Sequence, residues 1–229
     1  MQNQNLKNTI KIFYNKTLPY KKYQTLAKYF RKKRIENLIF CDHYPVITAG
    51  IQYKEESFKF PKEWLERKGI EIHYTQRGGD LTAHEKNQII IYLHIDLKKR
   101  QIRISDFINA IVVITKDLIG AIFSISLYYN LEMPGLYTNL GEKIVSFGLE
   151  IKKGFTSSGL AINFTNDLRT FEYIHPCGYK DLKINSIKNL LLNSNKDYKI
   201  DDLVLEKKKN DFCKAWSERF LLFLDSYFL

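Results

Sequence analysis

The sequence predicts an α+β domain with a mixed β-sheet flanked by helices. Three observations carry that expectation. Strand-period and helix-period segments are mixed along the chain rather than segregated into halves. Antiparallel hairpin patterns fill the middle, over residues 135–167. Hydrophobic residues make up 45% of the 229 and aromatics 14%, enough for a substantial core. That length suits one large domain or two small ones. No proline- or serine-rich linker forces a division, so a single domain over 1–229 is expected. The stretch from about 190 to 229 is a candidate accessory segment at its end.

The elements follow in order. "ENLIFCDHYPVITAG" (36–50) reads as a buried strand leading into a loop punctuated by Pro45 and Gly50. "GIEIHYTQRGGD" (69–80) alternates Ile70, Ile72 and Tyr74, then breaks at Gly78-Gly79. "NQIIIYLHIDL" (87–97) is a strand rich in β-branched residues. Ser105 is a candidate N-cap for "DFINAIVVITKDLIG", where Phe107, Ile111, Ile114 and Leu118 recur at helical spacing and Gly120 marks the stop. "AIFSISLYY" (121–129) reads as strand again. Residues 135–167 give strand, turn, strand, turn, strand, with turns at "NLGE" and "KKGF". A loop then carries Cys177, and "NDFCKAWSERFLLFLDSYF" closes the chain as an amphipathic helix.

Composition excludes several classes. "MQNQNLKNTIKIF" lacks the apolar core of a signal peptide. The longest apolar region is interrupted by Lys116 and Asp117, so no membrane segment is expected. Three cysteines without framework spacing argue against a secreted disulfide scaffold and for a reducing cytoplasm. A net charge of +11 favours acidic partners. The basic residues are scattered, and no helix-turn-helix, zinc finger or RNP-like motif appears, so nucleic acid is not expected. Neither G-x-x-x-x-G-K-[ST] nor G-x-G-x-x-G occurs.

Three places invite chemistry. "QRGGDLTAHEKNQIIIY" (76–92) joins two glycines, a threonine and a histidine between strands. It is either a ligand-holding loop, with Arg77 on an anion or carbonyl, or an ordinary hairpin turn. Cys177 stands between Pro176 and Gly178, where the backbone is held stiffly. Nucleophile, metal ligand and turn filler all remain open. Zinc spacing is absent, so no metal is expected. Lys143 lies in a period-two strand, solvated if it faces outward. Facing inward beside a thiol, it would stabilise the thiolate and relay protons.

Five segments, in order and with compatible spacing from about 36 to 188, resemble the octanoyltransferases of lipoyl assembly, within the biotin/lipoate protein ligase fold group. "DHYPVITAG" (42–50) is similar to that family's His-x-Pro-Val-x-Thr-x-Gly segment. "RGGDLTAH" (77–84), with Gln88 and Tyr92 beyond, resembles its substrate loop. "GEKIVSFGLEIKKG" (141–154) resembles its lysine strand, "GLAIN" (159–163) its G-L-A-x-N strand and "HPCGY" (175–179) its N-P-C-G loop.

The resemblance implies a biotin synthetase-like fold with Cys177 as nucleophile and Lys143 as its catalytic partner. It implies an acyl pocket lined by Arg77, Gly78, Gly79, Asp80, Leu81, Thr82, Ala83 and His84 on one side. Ser146, Phe147, Gly148, Gly159, Leu160 and Ala161 would form the other walls. The donor would be octanoyl-acyl carrier protein. The acceptors would be lipoyl domains of 2-oxoacid dehydrogenase E2 subunits and glycine cleavage H protein. No cofactor is implied, and a monomer is expected. The chain departs from the pattern at His84-Glu85-Lys86-Asn87-Gln88, where the family has H-G-P-G-Q, so this loop is expected to take another shape. Ser158 replaces a histidine before G-L-A, and His175 an asparagine. Transfer between carrier domains, ATP-dependent ligation and a carrier-binding relative without activity are the alternatives. Ligation is disfavoured because Gln76-Arg77-Gly78-Gly79 lacks the R-R-x-S/T-G-G-G form.

Overall fold

The computed structural model describes residues 10–194 and 201–227. Residues 1–9 of the polar N-terminal segment, 195–200 of the candidate accessory stretch, and 228–229 lie outside the described residues.

The frame is a mixed seven-stranded sheet. Its strands are β1 (Lys11–Thr17), β2 (Asn37–Asp42), β6 (Ile89–His94), β10 (Phe155–Ile162), β9 (Lys143–Lys152), β8 (Gly135–Tyr137) and β7 (Tyr128–Asn130), in that spatial order. The β1–β2 pair is parallel and the other pairs are antiparallel. A smaller sheet has the order β4 (Glu71–Tyr74), β3 (Val46–Ala49), β5 (Leu81–His84), with β3 parallel to β4 and antiparallel to β5.

Both faces of the large sheet are covered, which explains why β6 reads as a continuous apolar run. Ile89, Ile91 and Leu93 face α4 (Ile104–Phe123) and α6 (Asp202–Asp225) in the main core. Ile90 and Tyr92 face α1 (Tyr20–Lys33) with Tyr20, Tyr23 and Phe30. Helix α6 joins the main core through Phe212, Trp216 and Phe220, and Trp216 Nε1 donates to Thr115 Oγ1 of α4 at 2.9 Å. Short helices α2 (Lys62–Arg67), α3 (Leu97–Arg100) and α5 (Ile187–Ser194) cover the periphery.

The α+β class holds, and Phe107, Ile111, Ile114 and Leu118 are all buried on α4. Three local expectations are corrected. Helix α4 passes Gly120 and ends after Phe123, with Ser124 taking the left-handed cap at φ 57°. Phe123 is buried against Phe164 and Phe212. Burying that ring, worth about 2–3 kcal/mol, outweighs the ~1 kcal/mol helix cost of one glycine. The strand assigned to 121–129 therefore shrinks to β7. The helix starts at Ile104 with Arg103 as its cap residue, so Ser105 lies inside the first turn. The Pro/Gly-punctuated loop after β2 also contains β3, because Pro45 stands just ahead of the β-branched Val46-Ile47-Thr48.

Candidate active site

Lys143 opens β9. Its main chain is fixed on both sides, its N–H donating to the Lys183 carbonyl at 2.8 Å and its carbonyl accepting from Asn185 N–H at 3.1 Å. The side chain points inward and is 2% exposed, so it is not on a solvated face. Gly135 makes room for it: a Cβ there would lie 2.5 Å from Lys143 Cε. The ammonium sits 5.5 Å from the centroid of the Tyr137 ring, a cation–π arrangement. Tyr137 in turn donates its hydroxyl to the Met133 carbonyl at 2.8 Å. What remains for Nζ is Cys177 Sγ, at 3.3 Å.

Cys177 occupies a short 3-10 turn, Pro176–Gly178, and adopts φ 57°, ψ 17°. That left-handed backbone costs a non-glycine residue about 1–2 kcal/mol, the kind of strain that collects at functional sites. The turn is pinned by His175 N–H to the Ser57 carbonyl (2.7 Å), Gly178 N–H to the His175 carbonyl (2.9 Å) and Tyr179 N–H to the Pro176 carbonyl (3.1 Å). Gly178, at φ 79°, packs so closely that a Cβ would meet Asp80 Oδ2 at 2.7 Å. Asp80 is the knot beneath the turn. Its carboxylate accepts from Ser57 Oγ (2.6 Å), Leu81 N–H (2.7 Å) and Lys54 N–H (3.2 Å). The other thiols are different in kind. Cys41 and Cys213 are buried in apolar surroundings, and burial pushes the Cys213 thiol up to about 12.

Arg77 does not hold a free anion site. Its guanidinium donates to the carbonyls of Thr48 (2.5 Å), Asp80 (2.8 Å) and Gly78 (2.9 Å), and to Thr48 Oγ1 (2.9 and 3.1 Å). Its stem lies against Gly148, where a Cβ would come within 3.1 Å of Arg77 Cδ. Arg77 therefore braces the 77–80 loop over β9, and Gly78 N–H closes that contact on the Leu149 carbonyl at 3.1 Å.

Between this loop and the sheet lies a cavity of about 520 Å³ that reaches Lys143 and Cys177. Arg77, Gly78, Gly79, Asp80, Leu81, Thr82 and His84 line one side. Ser146, Phe147, Gly148, Gly159, Leu160 and Ala161 line the other. Phe147 and Leu160 also belong to the main core. Ala83 is the exception among the expected lining residues. Period-two alternation along β5 turns it into the small-sheet core with Ile47 and Leu65.

The wall away from the thiol is aromatic and neutral. His84 Nδ1 donates to Gln88 Oε1 (3.2 Å), whose amide nitrogen donates to Asn163 Oδ1 (2.9 Å). His43 Nδ1 donates to the Leu18 carbonyl, leaving Nε2 to accept from the Tyr92 hydroxyl at 2.6 Å. Burial lowers His84 to about 3 and His43 to about 4, so both rings are uncharged near neutral pH. Tyr23 stacks on Tyr92 at 3.5 Å and accepts from the Ser158 N–H at 2.9 Å.

In the altered loop, Asn87 takes φ 68°, a left-handed conformation that asparagine tolerates in place of glycine. Glu85 is buried and accepts from Leu168 N–H, Thr170 N–H and Asn166 Nδ2. Gly135, Tyr137 and Tyr20 escaped sequence reasoning. A G-x-Y hairpin partner just upstream of the lysine strand was the signal available for the first two. Among the described residues, no three His, Cys, Asp or Glu side chains are grouped to hold a metal ion. No described helix is long and apolar enough to cross a membrane.

Comparison places this architecture among lipoate and biotin protein ligases. The bipartite lipoate protein ligase from Thermoplasma acidophilum superimposes with TM-score 0.65 at 12% identity, over 92% of this chain and 83% of that one. A lipoate–protein ligase A bound with ATP gives 0.55 at 15% identity, over 91% and 96%. Likeness at that identity speaks for the fold alone. Sequence narrows the class. Residues 20–207 match the model of the lipoyl protein ligase A/B catalytic domain. An octanoyltransferase of Leptospira interrogans is 40% identical over 201 residues, 87% of this chain and 93% of the relative. One of Buchnera aphidicola is 40% identical over 181 residues, 79% and 81%. The chain belongs to the lipoyl protein ligase A/B catalytic-domain family and, within it, to the octanoyltransferases; it is an acyltransferase.

Proposed function

We propose that the chain moves an octanoyl group from octanoyl-acyl carrier protein to the lipoyl-domain lysine of lipoate-dependent enzymes, through a thioester on Cys177. The single observation that carries this reading is the Lys143 ammonium, buried, 3.3 Å from a half-exposed thiol at the edge of the cavity. An adjacent cation stabilises the thiolate that the first step requires. Cys177 Sγ attacks the donor's thioester carbonyl, and the carrier's sulfur leaves, taking a proton from Lys143. The acceptor's lysine amine then attacks the acyl-cysteine. Neutral Lys143 takes the amine proton, the C–S bond breaks, and the Cys177 thiolate and Lys143 ammonium are restored with an amide formed. Each step conserves protons and electrons without a further reactant.

The cavity walls suit the acyl group. Glycines and alanine leave space, and burial contributes about 0.8 kcal/mol per CH₂. E2 lipoyl domains and glycine cleavage H protein are the acceptors in this reading. A chain of net charge +11 meets acidic carrier domains faster than neutral ones.

The test is the intact mass of the protein after incubation with octanoyl-acyl carrier protein, without ATP. A hydroxylamine-labile octanoyl adduct on Cys177, absent in Cys177→Ser, is expected. Full transfer by Cys177→Ser or Lys143→Ala overturns the mechanism. An adduct formed only from an octanoylated lipoyl domain changes the donor.

A further inference from the structure

A second cavity of about 260 Å³ lies beside the first, under α1. It is lined by Gln24, Lys28, Arg31, Tyr74, Gln76 and Glu150, among others, and is more polar. Two residues line both cavities, Tyr20 and Ser158. They form the partition, and they are held very differently. Ser158 contributes main chain in a β10 rung opposite Leu149, with φ 62° and its N–H fixed on the Tyr23 hydroxyl. Tyr20 contributes a side chain. Its ring is buried among His43 (5.1 Å), His73 (5.0 Å), Tyr23 (5.8 Å) and His84 (6.3 Å). Burial pushes its phenol up to about 12, so it is neutral. Tyr23 and Tyr92 both have hydrogen-bonded hydroxyls, whereas none of the hydrogen bonds among the described residues engages that of Tyr20. It is a plug held by ring packing alone.

The plug stands at the end opposite the thiol. Lys143 opens β9 and Leu149 lies six residues further, roughly 20 Å at about 3.3 Å per residue. A straight acyl chain that starts at Cys177 and is long enough to follow β9 and β10 to the Leu149–Ser158 rung meets Tyr20 with its methyl end.

We propose that Tyr20 ends the acyl cavity and sets the longest straight acyl chain it accepts. The inference rests on the acyl-transfer reading for its biological meaning, but the shape of the cavity is testable without catalysis. The probes are free saturated fatty acids of even length, from six to sixteen carbons, titrated calorimetrically into the full chain. In the wild type, affinity is expected to rise about fourfold per methylene up to a limiting length and then break. Tyr20→Phe keeps that limit, because the hydroxyl holds nothing. Tyr20→Ala joins the two cavities and improves binding of the first acid beyond the limit by about fifteenfold, the gain from two more buried methylenes. Tyr20→Leu, which keeps an apolar side chain in the α1 core, gives the same direction of change and serves if the alanine variant does not fold.

An unchanged limit in Tyr20→Leu and Tyr20→Ala overturns the assignment, as does a limit that moves in Tyr20→Phe. Absence of fatty-acid binding at every length overturns both this assignment and the acyl cavity. A length limit set by Tyr20 in a protein that never acylates Cys177 sinks the thioester mechanism and leaves the assignment standing.

Discussion

Replacing Gly135 by alanine tests whether catalysis depends on where Lys143 is held. The new Cβ would lie 2.5 Å from Lys143 Cε, 2.8 Å from the Val145 carbonyl oxygen and 2.9 Å from Tyr137 Cε2. Carbon atoms prefer separations of about 3.5–4.0 Å, so Cε must retreat by about 1 Å. Tyr137 is 1% exposed and packed in place, so the shift falls on Lys143, which borders the cavity and can only move off its present line to Cys177. The 3.3 Å contact from Nζ to Cys177 Sγ is then lost. A displacement of that size at a reacting pair costs about 10²-fold in rate. The crowding also costs about 1–3 kcal/mol of stability. Gly141→Ala separates the two effects. Gly141 lies in the same hairpin at φ 75° with no atom within 4 Å of a built Cβ, so alanine there strains the backbone without touching the lysine. Single-turnover acylation by octanoyl-acyl carrier protein, followed by quenched mass spectrometry beside a thermal melt, reads both. Expected are a slow Gly135→Ala and a near-normal Gly141→Ala, both with lowered Tm. Wild-type acylation by Gly135→Ala would refute the argument that the slot positions the lysine.

The buried histidines make stability sensitive to acid. Burial holds His43 at about 4 and His84 and His94 at about 3, against about 6.5 in the unfolded chain. Below pH 6.5 the unfolded state binds more protons, so stability falls with falling pH by ~1.4 kcal/mol per unit for each ring, down to their folded values. Thermal melts from pH 8 to 5 should be level above about 7 and decline below 6.5; a level profile to pH 5 contradicts the burial of these rings. Arg77→Lys should lower stability by at least about 2 kcal/mol, because one ammonium cannot serve the Thr48, Gly78 and Asp80 carbonyls together. Its activity should not recover with more donor, and an unchanged urea midpoint would show that Arg77 is no brace.

What was legible in the sequence follows from periodicity and its limits. Strand β6 and helix α4 were readable because burial imposes an apolar pattern on them. The three strands after residue 135 were readable because "NLGE" and "KKGF" mark their turns. The end of α4 was not, because Phe123 finds Phe164 and Phe212 only in the folded chain. Helix α1 went unread although Tyr20, Tyr23 and Phe30 repeat on one face. Its signal was diluted by the lysines between them. In the site, no spacing rule joins Lys143 to Cys177 across 34 residues. The five-segment resemblance paired them, and the fold places them in contact. The roles of Arg77 and Asp80 as internal braces were hidden for a related reason. A side chain's partners are main-chain carbonyls and amides whose positions only the tertiary structure fixes.

The frame resembles that of a ligase bound with ATP, and the 176–178 turn bears on how the transfer proposed above would proceed without an activation step. A ligase must first raise a free acid to an activated acyl group. A thiol receiving an acyl group from another thioester exchanges like for like, and the favourable step is deferred until the amide forms. The mechanism proposed above needs a thiol at the edge of the cavity, a cation beside it, and a backbone that keeps both still. In this chain the first is Cys177 in a left-handed turn over Asp80. The second is Lys143 in the slot of Gly135 and Tyr137. The third is the bracing by Arg77 and Asp80, whose polar groups are spent on the main chain. In the proposed mechanism the chemistry then depends on a few residues set on the sheet, and moving the thiol by a single residue in that turn would remove the 3.3 Å pair.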